Sequence, residues 1–372
     1  MEQRILSAEN NYRQLDDYLT SHGFKTVMLV CDSSIRFLKL DEYFRQAEER
    51  LGIRIVRFSD FQPNPLYESV VKGVEIFNRE RCQGIIAVGG GSGMDVAKCI
   101  KLYHNMDPSI NYLKQEIVEN DVPFLAVPTT AGTGSEATRF AVIYYEGVKQ
   151  SVNHLSCIPD TILFDPSTLR TLPLYQKKST MMDALSHSIE AFWSINSTEE
   201  SRQYSRIAIK LVLDNMCGYL KNEEAANRKM LEAAHIAGKA INLAQTTAGH
   251  AMSYKLASIG HIAHGHSTIL VNEKLLPWMV NHTDRCIDPR GREYLEDIFL
   301  QLAHALGKSS PLKACEYLSE IVKKLEFSRP EASEEEIEVM VHSVNLIRLK
   351  NNPIALDEES IRKLYHEIVI KR

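Results

Sequence analysis

Short apolar runs alternate with segments of helical periodicity along the first half of the chain. The runs are continuous rather than alternating between apolar and polar residues, which is typical of strands buried on both faces of a parallel sheet. They cover residues 26–31, 53–58, 84–88 and 124–127, and the helical patterns between them lie near 38–50, 66–80 and 93–104. This order predicts a doubly wound α/β domain with a parallel sheet.

The second half of the chain predicts helices almost throughout. Strand-like runs almost disappear after the prolines and threonines of residues 164–173, and apolar residues then recur at three- and four-residue spacing. The predicted helices cover 179–195, 199–220, 224–246, 294–306, 311–325, 333–347 and 358–369. A chain of 372 residues is long enough for two hydrophobic cores. We therefore expect an α/β domain over residues 1–168 and an all-helical domain over residues 169–372.

Charge and composition exclude several classes of partner. The 48 acidic and 43 basic residues are spread along the chain, and the net charge is −5, so neither nucleic acid nor an anionic membrane is an expected partner. The first residues do not resemble a secretory signal, and no segment reaches the roughly 18 apolar residues of a membrane helix. Seven cysteines without a C-x-x-C pair predict no disulfide framework. These features together predict a cytoplasmic protein.

A glycine-rich turn follows the third predicted strand. The segment GGGSGMDVAK (89–98) places its glycines where the strand ends and a helix begins. Free backbone N–H groups and the positive end of the helix dipole bind a phosphate at such a turn. Met94 occupies the third glycine position of G-x-G-x-x-G, so this is not the ordinary Rossmann fingerprint. Close packing of the helix on the sheet is the alternative reason for these glycines.

A second polar loop follows the next predicted strand. PTTAGTGSEAT (128–138) places hydroxyl side chains around two glycines. Hydroxyls and backbone donors at the carboxyl end of a strand suit a sugar and a pyrophosphate. Two such loops after separate strands favour a dinucleotide site over close packing alone.

Candidate metal ligands lie in the second half. Asp183 and His187 stand at i and i+4 of a predicted helix, about 5 to 6 Å apart on one face, although such a pair is also common as a surface hydrogen bond. Residues 249–267 contribute four more histidines: His250, His261, His264 and His266. One straight helix would separate the first and third of them by about 21 Å, so the chain must turn between them, and Gly260 is the expected turning point.

The residue types limit the metal but do not select the ligands. A carboxylate with several imidazoles suits Fe²⁺ or Zn²⁺ and is too rich in nitrogen for Mg²⁺ or Ca²⁺. Spacing alone leaves open which of the four histidines bind.

The motifs occur in a known combination. The chain resembles the iron-containing (group III) alcohol dehydrogenases along essentially its whole length. The resemblance rests on NPLYESV (64–70), GGGSGMDVAK (89–98), PTTAGTGSE (128–136), DALSHSIEAF (183–192) and AHG (263–265). It implies an N-terminal α/β dinucleotide-binding domain and a C-terminal helical metal-binding domain, in the architecture of dehydroquinate synthase, with the active site in the cleft between them. A homo-oligomer is also expected.

The resemblance implies roles for individual residues. Its four metal ligands match Asp183, His187, His250 and His264, which leaves His261 and His266 as neighbours. The cofactor-binding residues that it implies are Asp32, Asn64, Gly90, Gly91, Ser92, Asp95, Lys98, Thr129, Thr130, Thr133, Ser135 and Lys149. Asp32 would accept hydrogen bonds from ribose hydroxyls and repel a 2′-phosphate, which favours NAD over NADP. Alternatively, Asp32 only caps the turn that follows it.

The implied activity is metal-dependent transfer of hydride between NAD(H) and a small alcohol or aldehyde. Tyr254 stands where many relatives have a histidine, so Tyr254, His266 or a bound water is the candidate proton carrier, with Asp95 as a further candidate catalytic residue. Tyr254 could equally form only a wall of the pocket. His261, His266 and Lys255 favour a polar or anionic aldehyde, although His261 and Lys255 could equally be solvated helix residues. The histidine-glycine-histidine sequence at 264–266 resembles the subgroup that reduces phosphonoacetaldehyde-like compounds.

Two other functions are compatible with the sequence. A dehydroquinate synthase-like lyase that forms a carbocycle would share the fold, the bound NAD and the metal. A catalytically silent binding subunit is the second alternative, against which the intact candidate ligands and glycine loops argue.

Overall fold

The computed structural model describes residues 3–344 and 346–372 of the chain. Within them the chain forms two compact units. Unit 1 comprises the described residues up to Leu172 together with Asn222–Leu231, and unit 2 comprises Pro173–Lys221 and Glu232–Arg372. The sequence-based boundary after residue 168 lies four residues before the end of the first part of unit 1.

Residues Asn222–Leu231, which we placed in the second domain, belong with unit 1. Arg228 forms an ion pair with Glu9 at 2.8 Å, and Glu224 pairs with Arg170. Exposed ion pairs such as these contribute little individually. Together these ion pairs nevertheless connect residues 222–231 to unit 1, whereas hydrophobic periodicity alone places most of that segment in the predicted helix 224–246 of the second domain.

Ten strands occur in the described residues. They are Arg4–Ser7 (β1), Thr26–Cys31 (β2), Arg54–Phe58 (β3), Ile85–Gly89 (β4), Phe124–Pro128 (β5), Phe140–Tyr145 (β6), Val148–Asn153 (β7), Thr161–Phe164 (β8), Glu331–Ala332 (β9) and Ile370–Lys371 (β10). Six of them form a wholly parallel sheet in unit 1, in the order β1-β8-β5-β4-β2-β3. The hairpin β6–β7 and the short pair β9–β10 are separate.

Fifteen α-helices occur in the described residues. They are Glu9–Ser21 (α1), Lys39–Arg45 (α2), Ala47–Leu51 (α3), Tyr67–Arg79 (α4), Gly91–Tyr103 (α5), Leu174–Trp193 (α6), Glu199–Leu220 (α7), Glu224–Ala244 (α8), Ala248–Gly260 (α9), His264–Asn281 (α10), Arg292–Ala305 (α11), Pro311–Lys324 (α12), Glu334–His342 (α13), Leu346–Leu349 (α14) and Glu358–Ile368 (α15). None of these helices is both long enough and apolar enough to cross a bilayer.

The parallel sheet of unit 1 is buried on both faces. Met28 and Val30 of β2 face one apolar layer, and Val27 and Leu29 of the same strand face the other. Successive side chains of a strand point to opposite faces, so a strand between two layers must be apolar at every position. This requirement explains the continuous runs in the sequence, and all four predicted strands are confirmed.

The structure also contains strands that the sequence pattern did not predict. β1 and β8 have four residues each and lie side by side at one end of the sheet, and runs of that length carry little periodicity. The hairpin turns at Glu146 and Gly147, which both have positive φ. Two such residues match the twist of the flanking strands.

Helix α6 is the most completely buried helix of unit 2, because residues 181–193 are all buried. The helix packs against α7, α10 and α11, and the residues that it buries are polar as well as apolar. The predicted fold class, α/β followed by helices, is confirmed, with the β9–β10 pair as a small addition. The single helix predicted over 333–347 is wrong, since α13 ends at His342; Asn345, within that range, lies outside the described residues.

Candidate functional site

Helix α6 places the first two candidate ligands in the core of unit 2. Asp183 and His187 lie one turn apart and are 3% and 6% exposed. A buried carboxylate is costly unless it is paired or binds a cation. The surface hydrogen-bonded pair that we considered as an alternative is therefore excluded for these two residues.

The chain reverses direction between α9 and α10, as predicted. α9 ends at Gly260, His261 adopts a left-handed φ of 49°, and α10 begins at His264. This reversal places the ring of His250 close to that of His264, with the ring centroids 5.3 Å apart. The rings of His187 and His250 stack at 4.5 Å.

Two glycines make room for α9 and α10 to pack beside α6. A Cβ on Gly265 would lie 2.0 Å from the carbonyl oxygen of Ser179. A Cβ on Gly249 would lie 2.1 Å from Oδ1 of Asn272 and 2.3 Å from Oε1 of Glu190. Glycine inside a helix costs about 1 kcal/mol of stability, and here that cost allows a histidine beside each glycine to reach the same point.

The side chains converge on one buried position. One ligand atom from each of Asp183, His187 and His250 lies within 4.8 Å of the others. Asp183 Oδ1 is 3.6 Å from His250 Nε2 and 3.8 Å from Nε2 of His264, whose side chain is 38% exposed. Asp183, His187 and His250 are thus buried together, and His264 lies beside them at the more exposed side of the cluster.

The donor set fits a divalent cation. Asp183 Oδ1 and His250 Nε2 are buried, and neither has a hydrogen-bond partner among the described residues. Leaving a polar atom in this state costs about 1–3 kcal/mol, and a cation bound by both atoms removes the cost. One carboxylate oxygen and three imidazoles form a set suited to Fe²⁺ or Zn²⁺.

The electrostatics of the cluster favour positive charge at the same position. Burial alone would raise the pKa of Asp183, but His187, His250 and His264 outweigh burial and lower it. Burial would likewise lower the pKa of His250, whereas the nearby carboxylates of Glu190 and Asp183 raise it to about 10. The cluster therefore favours positive charge beside Asp183 and Glu190.

Glu190 is a buried residue that our sequence analysis did not single out. It lies on α6, seven residues after Asp183, and its Oε1 accepts a hydrogen bond of 2.6 Å from His250 Nδ1. Positions i, i+4 and i+7 share one helical face. Asp183, His187 and Glu190 follow that spacing, which is the signal that could have found it.

Tyr254 and His266 lie in different surroundings. The Tyr254 ring stacks on the His264 ring, with centroids 5.2 Å apart and planes 10° apart. The ring nitrogens of His266 both have other partners: Nε2 donates to the carbonyl of Ser328 at 2.9 Å, and Nδ1 accepts from the Tyr175 hydroxyl at 3.0 Å. Burial lowers the pKa of His266 to about 4, so this ring is neutral.

In unit 1 the two predicted nucleotide loops contact each other. They follow the neighbouring strands β4 and β5, and Thr129 N donates to the carbonyl of Gly89 at 3.1 Å. A Cβ on Gly90 would lie 3.2 Å from the side chain of Thr130, and one on Gly91 would lie 3.1 Å from Thr133. Close packing therefore accounts for part of the glycine requirement.

Asp95 and Lys98 hold the second loop in place from α5. Asp95 accepts from Ser135 Oγ at 2.9 Å and from Val142 N at 3.0 Å. Lys98 is fully buried, and its Nζ donates to oxygens of Ser135, Thr138 and Phe140 at 2.7 to 3.1 Å. Burial lowers the pKa of Lys98. Lys98, predicted to bind the cofactor, is thus placed inside the protein, and its contacts support the loop instead.

The remaining predicted cofactor residues lie on the surface of unit 1. Asp32 follows β2 and accepts a hydrogen bond from Ser34 N at 2.7 Å, so it caps the turn as the alternative proposed. Ser92 is half-buried in the first turn of α5, and Lys149 is half-buried on β7. Asn64 is exposed in a left-handed conformation.

Two family models match the chain. The model described as iron-containing alcohol dehydrogenase matches residues 2–166, and the C-terminal model of the Fe-containing alcohol dehydrogenase family matches residues 177–369. The chain belongs to the iron-containing alcohol dehydrogenase family. This membership confirms the predicted resemblance and the predicted enzyme class, an NAD- and metal-dependent alcohol dehydrogenase or aldehyde reductase.

Relatives of this iron-containing alcohol dehydrogenase span most of its length. Long-chain-alcohol dehydrogenase 1 of Geobacillus thermodenitrificans is 28% identical over 365 residues, covering 92% of this chain and 89% of that protein. Alcohol dehydrogenase 4 of Schizosaccharomyces pombe is 29% identical over 363 residues, covering 92% and 82%. A crystal structure of sulfoacetaldehyde reductase from Bifidobacterium kashiwanohense in complex with NAD⁺ is 26% identical and covers 98% and 96%, with a TM-score of 0.86.

The glycine contacts predict the effect of one added methyl group. Gly265→Ala should push α10 away from α6, because the new Cβ would collide with the Ser179 carbonyl oxygen. Overpacking of this kind costs about 1–3 kcal/mol, and the affinity for Zn²⁺ should fall by at least about tenfold. Chelator competition and denaturant unfolding measure the two effects.

Gly291→Ala is the matched control. Gly291 has a φ of 96° and nothing near its Cβ position, so the substitution strains the backbone without touching the cluster. It should lower stability and leave Zn²⁺ affinity unchanged. An equal loss of affinity in both variants would show that global stability, rather than the approach of the helices, controls binding.

Proposed function

We propose that this protein transfers hydride between NAD(H) and a small alcohol or aldehyde, using one divalent ion, Fe²⁺ or Zn²⁺, held by Asp183, His187, His250 and His264. The observation that carries the proposal is the buried pair of Asp183 Oδ1 and His250 Nε2, which face each other at 3.6 Å without hydrogen-bond partners among the described residues. An ion bound there supplies a Lewis acid that stabilises negative charge on the substrate oxygen.

The protein's own residues bind and orient the reactants. Asp183 and the histidines lie around one point in unit 2, where the His250 ring stacks on His187 and meets His264 edge-on. In the oxidative direction the alcohol loses a hydride from carbon and a proton from oxygen, and NAD⁺ accepts the hydride. The residues around the cluster must therefore also provide a route for one proton.

We propose the loops after β2, β4 and β5 as the NAD site. The three strands are neighbours in a parallel sheet, so their carboxyl ends share one edge, which is where α/β sheets bind nucleotides. Asp32 uses one carboxylate oxygen to cap the following turn, which leaves a second oxygen for a ribose hydroxyl and supports NAD over NADP. In this proposal Asp95 and Lys98 position the loop of residues 128–138, and Asn64 and Lys149 remain candidate contacts.

Tyr254 is the proton carrier that the geometry favours among the residues predicted to be catalytic. Its ring stacks directly on the ring of His264. His266 has both nitrogens engaged and a neutral ring, and both oxygens of Asp95 accept hydrogen bonds within unit 1. We therefore propose a catalytic role for Tyr254 and positioning roles for His266 and Asp95.

We further propose that the substrate is a small anionic aldehyde, of which phosphonoacetaldehyde is one member. The guanidinium of Arg348 lies 5.4 Å from the centroid of the Tyr254 ring, so a permanent cation stands near the candidate metal ligands. The related protein from Bifidobacterium kashiwanohense is a reductase of sulfoacetaldehyde, an anionic aldehyde. Because His266 is neutral, Arg348 rather than His266 supplies the positive charge that favours an anionic substrate.

Two expectations concern the setting of the enzyme. All seven cysteines are free thiols, which supports our proposal of a reducing, cytoplasmic location. We also propose a homo-oligomer, which light scattering of the purified protein tests directly; a monomer at all concentrations would contradict it.

The central experiment measures NADH oxidation by protein loaded with Fe²⁺ or Zn²⁺. Aldehyde should be reduced with one NADH consumed per turnover, and a chelator should abolish the activity. Asp183→Asn should lower metal affinity by more than about 100-fold, since even outer residues of metal sites contribute up to that much. Asp214→Asn, which affects an exposed ion pair with Lys210, is the matched control and should change neither quantity.

Full turnover of the metal-free protein would contradict the proposal. Metal and NAD binding without net NADH consumption would instead favour the lyase, which regenerates its cofactor, or the silent binding subunit.

Removal of the Tyr254 hydroxyl tests the proton route. Tyr254→Phe keeps the ring on His264 and should lower turnover by about 100-fold, the lower end of the range for proton transfer by a side chain, with an altered pH profile. Tyr204→Phe removes an exposed hydroxyl that bonds Glu200 and serves as the control. Unchanged turnover and an unchanged pH profile in Tyr254→Phe would reduce Tyr254 to a wall of the pocket.

Removal of the Arg348 charge tests the substrate class. Wild-type protein should prefer sulfonate- or phosphonate-bearing aldehydes to uncharged aldehydes of equal chain length. Arg348→Met should raise KM for the anionic compounds by about 10- to 100-fold, the value of a hydrogen bond to a charged group, and leave the uncharged ones unaffected. Arg362→Met, which removes a half-buried ion pair with Glu338, is the control. Equal use of both compound classes by wild-type protein would refute the anionic substrate without touching the dehydrogenase proposal.

A further inference from the structure

We propose that Glu190 is a positioning residue for the metal ligand His250, whose ring it orients so that Nε2 faces Asp183. The inference rests on the proposed metal site. Glu190 is fully buried on α6 and lies outside the predicted ligand set. It contacts His250 through both carboxylate oxygens, and those contacts determine where the ligand nitrogen lies.

The first contact fixes which nitrogen of His250 carries a proton. Glu190 Oε1 lies 2.6 Å from His250 Nδ1. A carboxylate only accepts hydrogen bonds, so Nδ1 is the N–H donor. With a metal ion bound, the other nitrogen, Nε2, would direct its lone pair to the position that Asp183 Oδ1 approaches from 3.6 Å. Carboxylate–histidine pairs of this kind set the tautomer and raise the basicity of metal ligands.

The second contact fixes the backbone that carries His250. Glu190 Oε2 accepts from the backbone N–H groups of Thr247 at 2.7 Å and His250 at 3.2 Å, and from the Thr247 hydroxyl at 2.9 Å. Thr247 precedes α9 but makes no side-chain cap of its own. Glu190 therefore satisfies donors at the start of α9 that a helix otherwise leaves open.

The surroundings leave Glu190 no other evident purpose. The remaining donor to Oε1 is Asn272 Nδ2 at 3.1 Å, so α10 contributes an amide rather than a cation to this contact. Neither lysine nor arginine is among the hydrogen-bond donors to Glu190 in the described residues. A buried carboxylate without such a partner needs positive charge nearby. Here the sources of that charge are the His250 ring and the metal ion that it would bind.

Together the contacts of Glu190 fix both the backbone position and the ring rotation of His250. The backbone bonds set the position of the first turn of α9, and the ring bond sets the rotation of the imidazole. Gly249 belongs to the same arrangement, because a Cβ there would occupy the space of the Glu190 carboxylate. Both the backbone hydrogen bonds and the ring hydrogen bond are needed to place Nε2.

Zn²⁺ affinity and the visible spectrum of Co²⁺-loaded protein test the proposal without reference to activity. Glu190→Gln should weaken Zn²⁺ binding by about 10- to 100-fold and shift the Co²⁺ bands, because the amide N–H₂ group would face a donor. Ser188→Ala is the matched control, since it removes a buried hydroxyl from the same helix that bonds only its own turn. The control should match wild type in both measurements.

Equal Zn²⁺ affinity and equal Co²⁺ spectra in Glu190→Gln and wild type would overturn the proposal, as would a loss of stability without a spectral change. Failure of wild-type protein to bind Zn²⁺ at all would overturn the metal site itself and, with it, this inference.

A measurement on wild-type protein covers the case in which Glu190→Gln does not fold. Nitrogen NMR of the Zn²⁺-loaded protein, with His250 assigned by comparison with His250→Asn, should show Nδ1 protonated and Nε2 metal-bound. The opposite assignment of the two nitrogens would overturn the role of Glu190.

Discussion

The contacts of α9 and α10 with α6 are the constraint on which the candidate site depends. Helix axes normally lie 8–10 Å apart because side chains separate them. Gly265 lets the start of α10 approach the backbone of α6, whereas Gly249 leaves room between α9 and side chains of α10 and α6. The histidine beside each glycine then lies near Asp183, which is buried in the middle of α6.

Charge explains why the cluster is a candidate cation site. Helix α6 carries two buried carboxylates, Asp183 and Glu190, two turns apart. The groups that face them directly are imidazoles, hydroxyls, amides and backbone N–H groups. These donors satisfy Glu190 but leave one oxygen of Asp183 and one nitrogen of His250 without partners in the described residues. A single divalent ion would satisfy both atoms.

The sequence predicted those features that local periodicity determines. The strand over 26–31 was evident because burial on both faces requires apolar residues throughout, and Asp183 and His187 were paired because one helical turn separates them. β1 and β8 were missed because four residues do not show a period. The choice among four histidines required the reversal at His261, which is a tertiary feature. Glu190 was missed although it shares a helical face with Asp183 and His187, because spacing alone does not show that a glutamate is buried.

The fold also separates two kinds of motif residue. Lys98 and Asp95 belong to the glycine-rich motif, yet their contacts run to Ser135, Thr138 and Val142, so they build the adjoining loop. A motif therefore identifies the family and reaction class without each member touching a reactant. Tyr254 and Arg348 lie outside all five motifs; the Tyr254 ring stacks on His264, and the Arg348 guanidinium lies over the Tyr254 ring. In the proposed mechanism, substrate reaches the ion from the side that the buried ligands leave open, so we expect such residues, rather than the motifs, to determine which aldehyde is used.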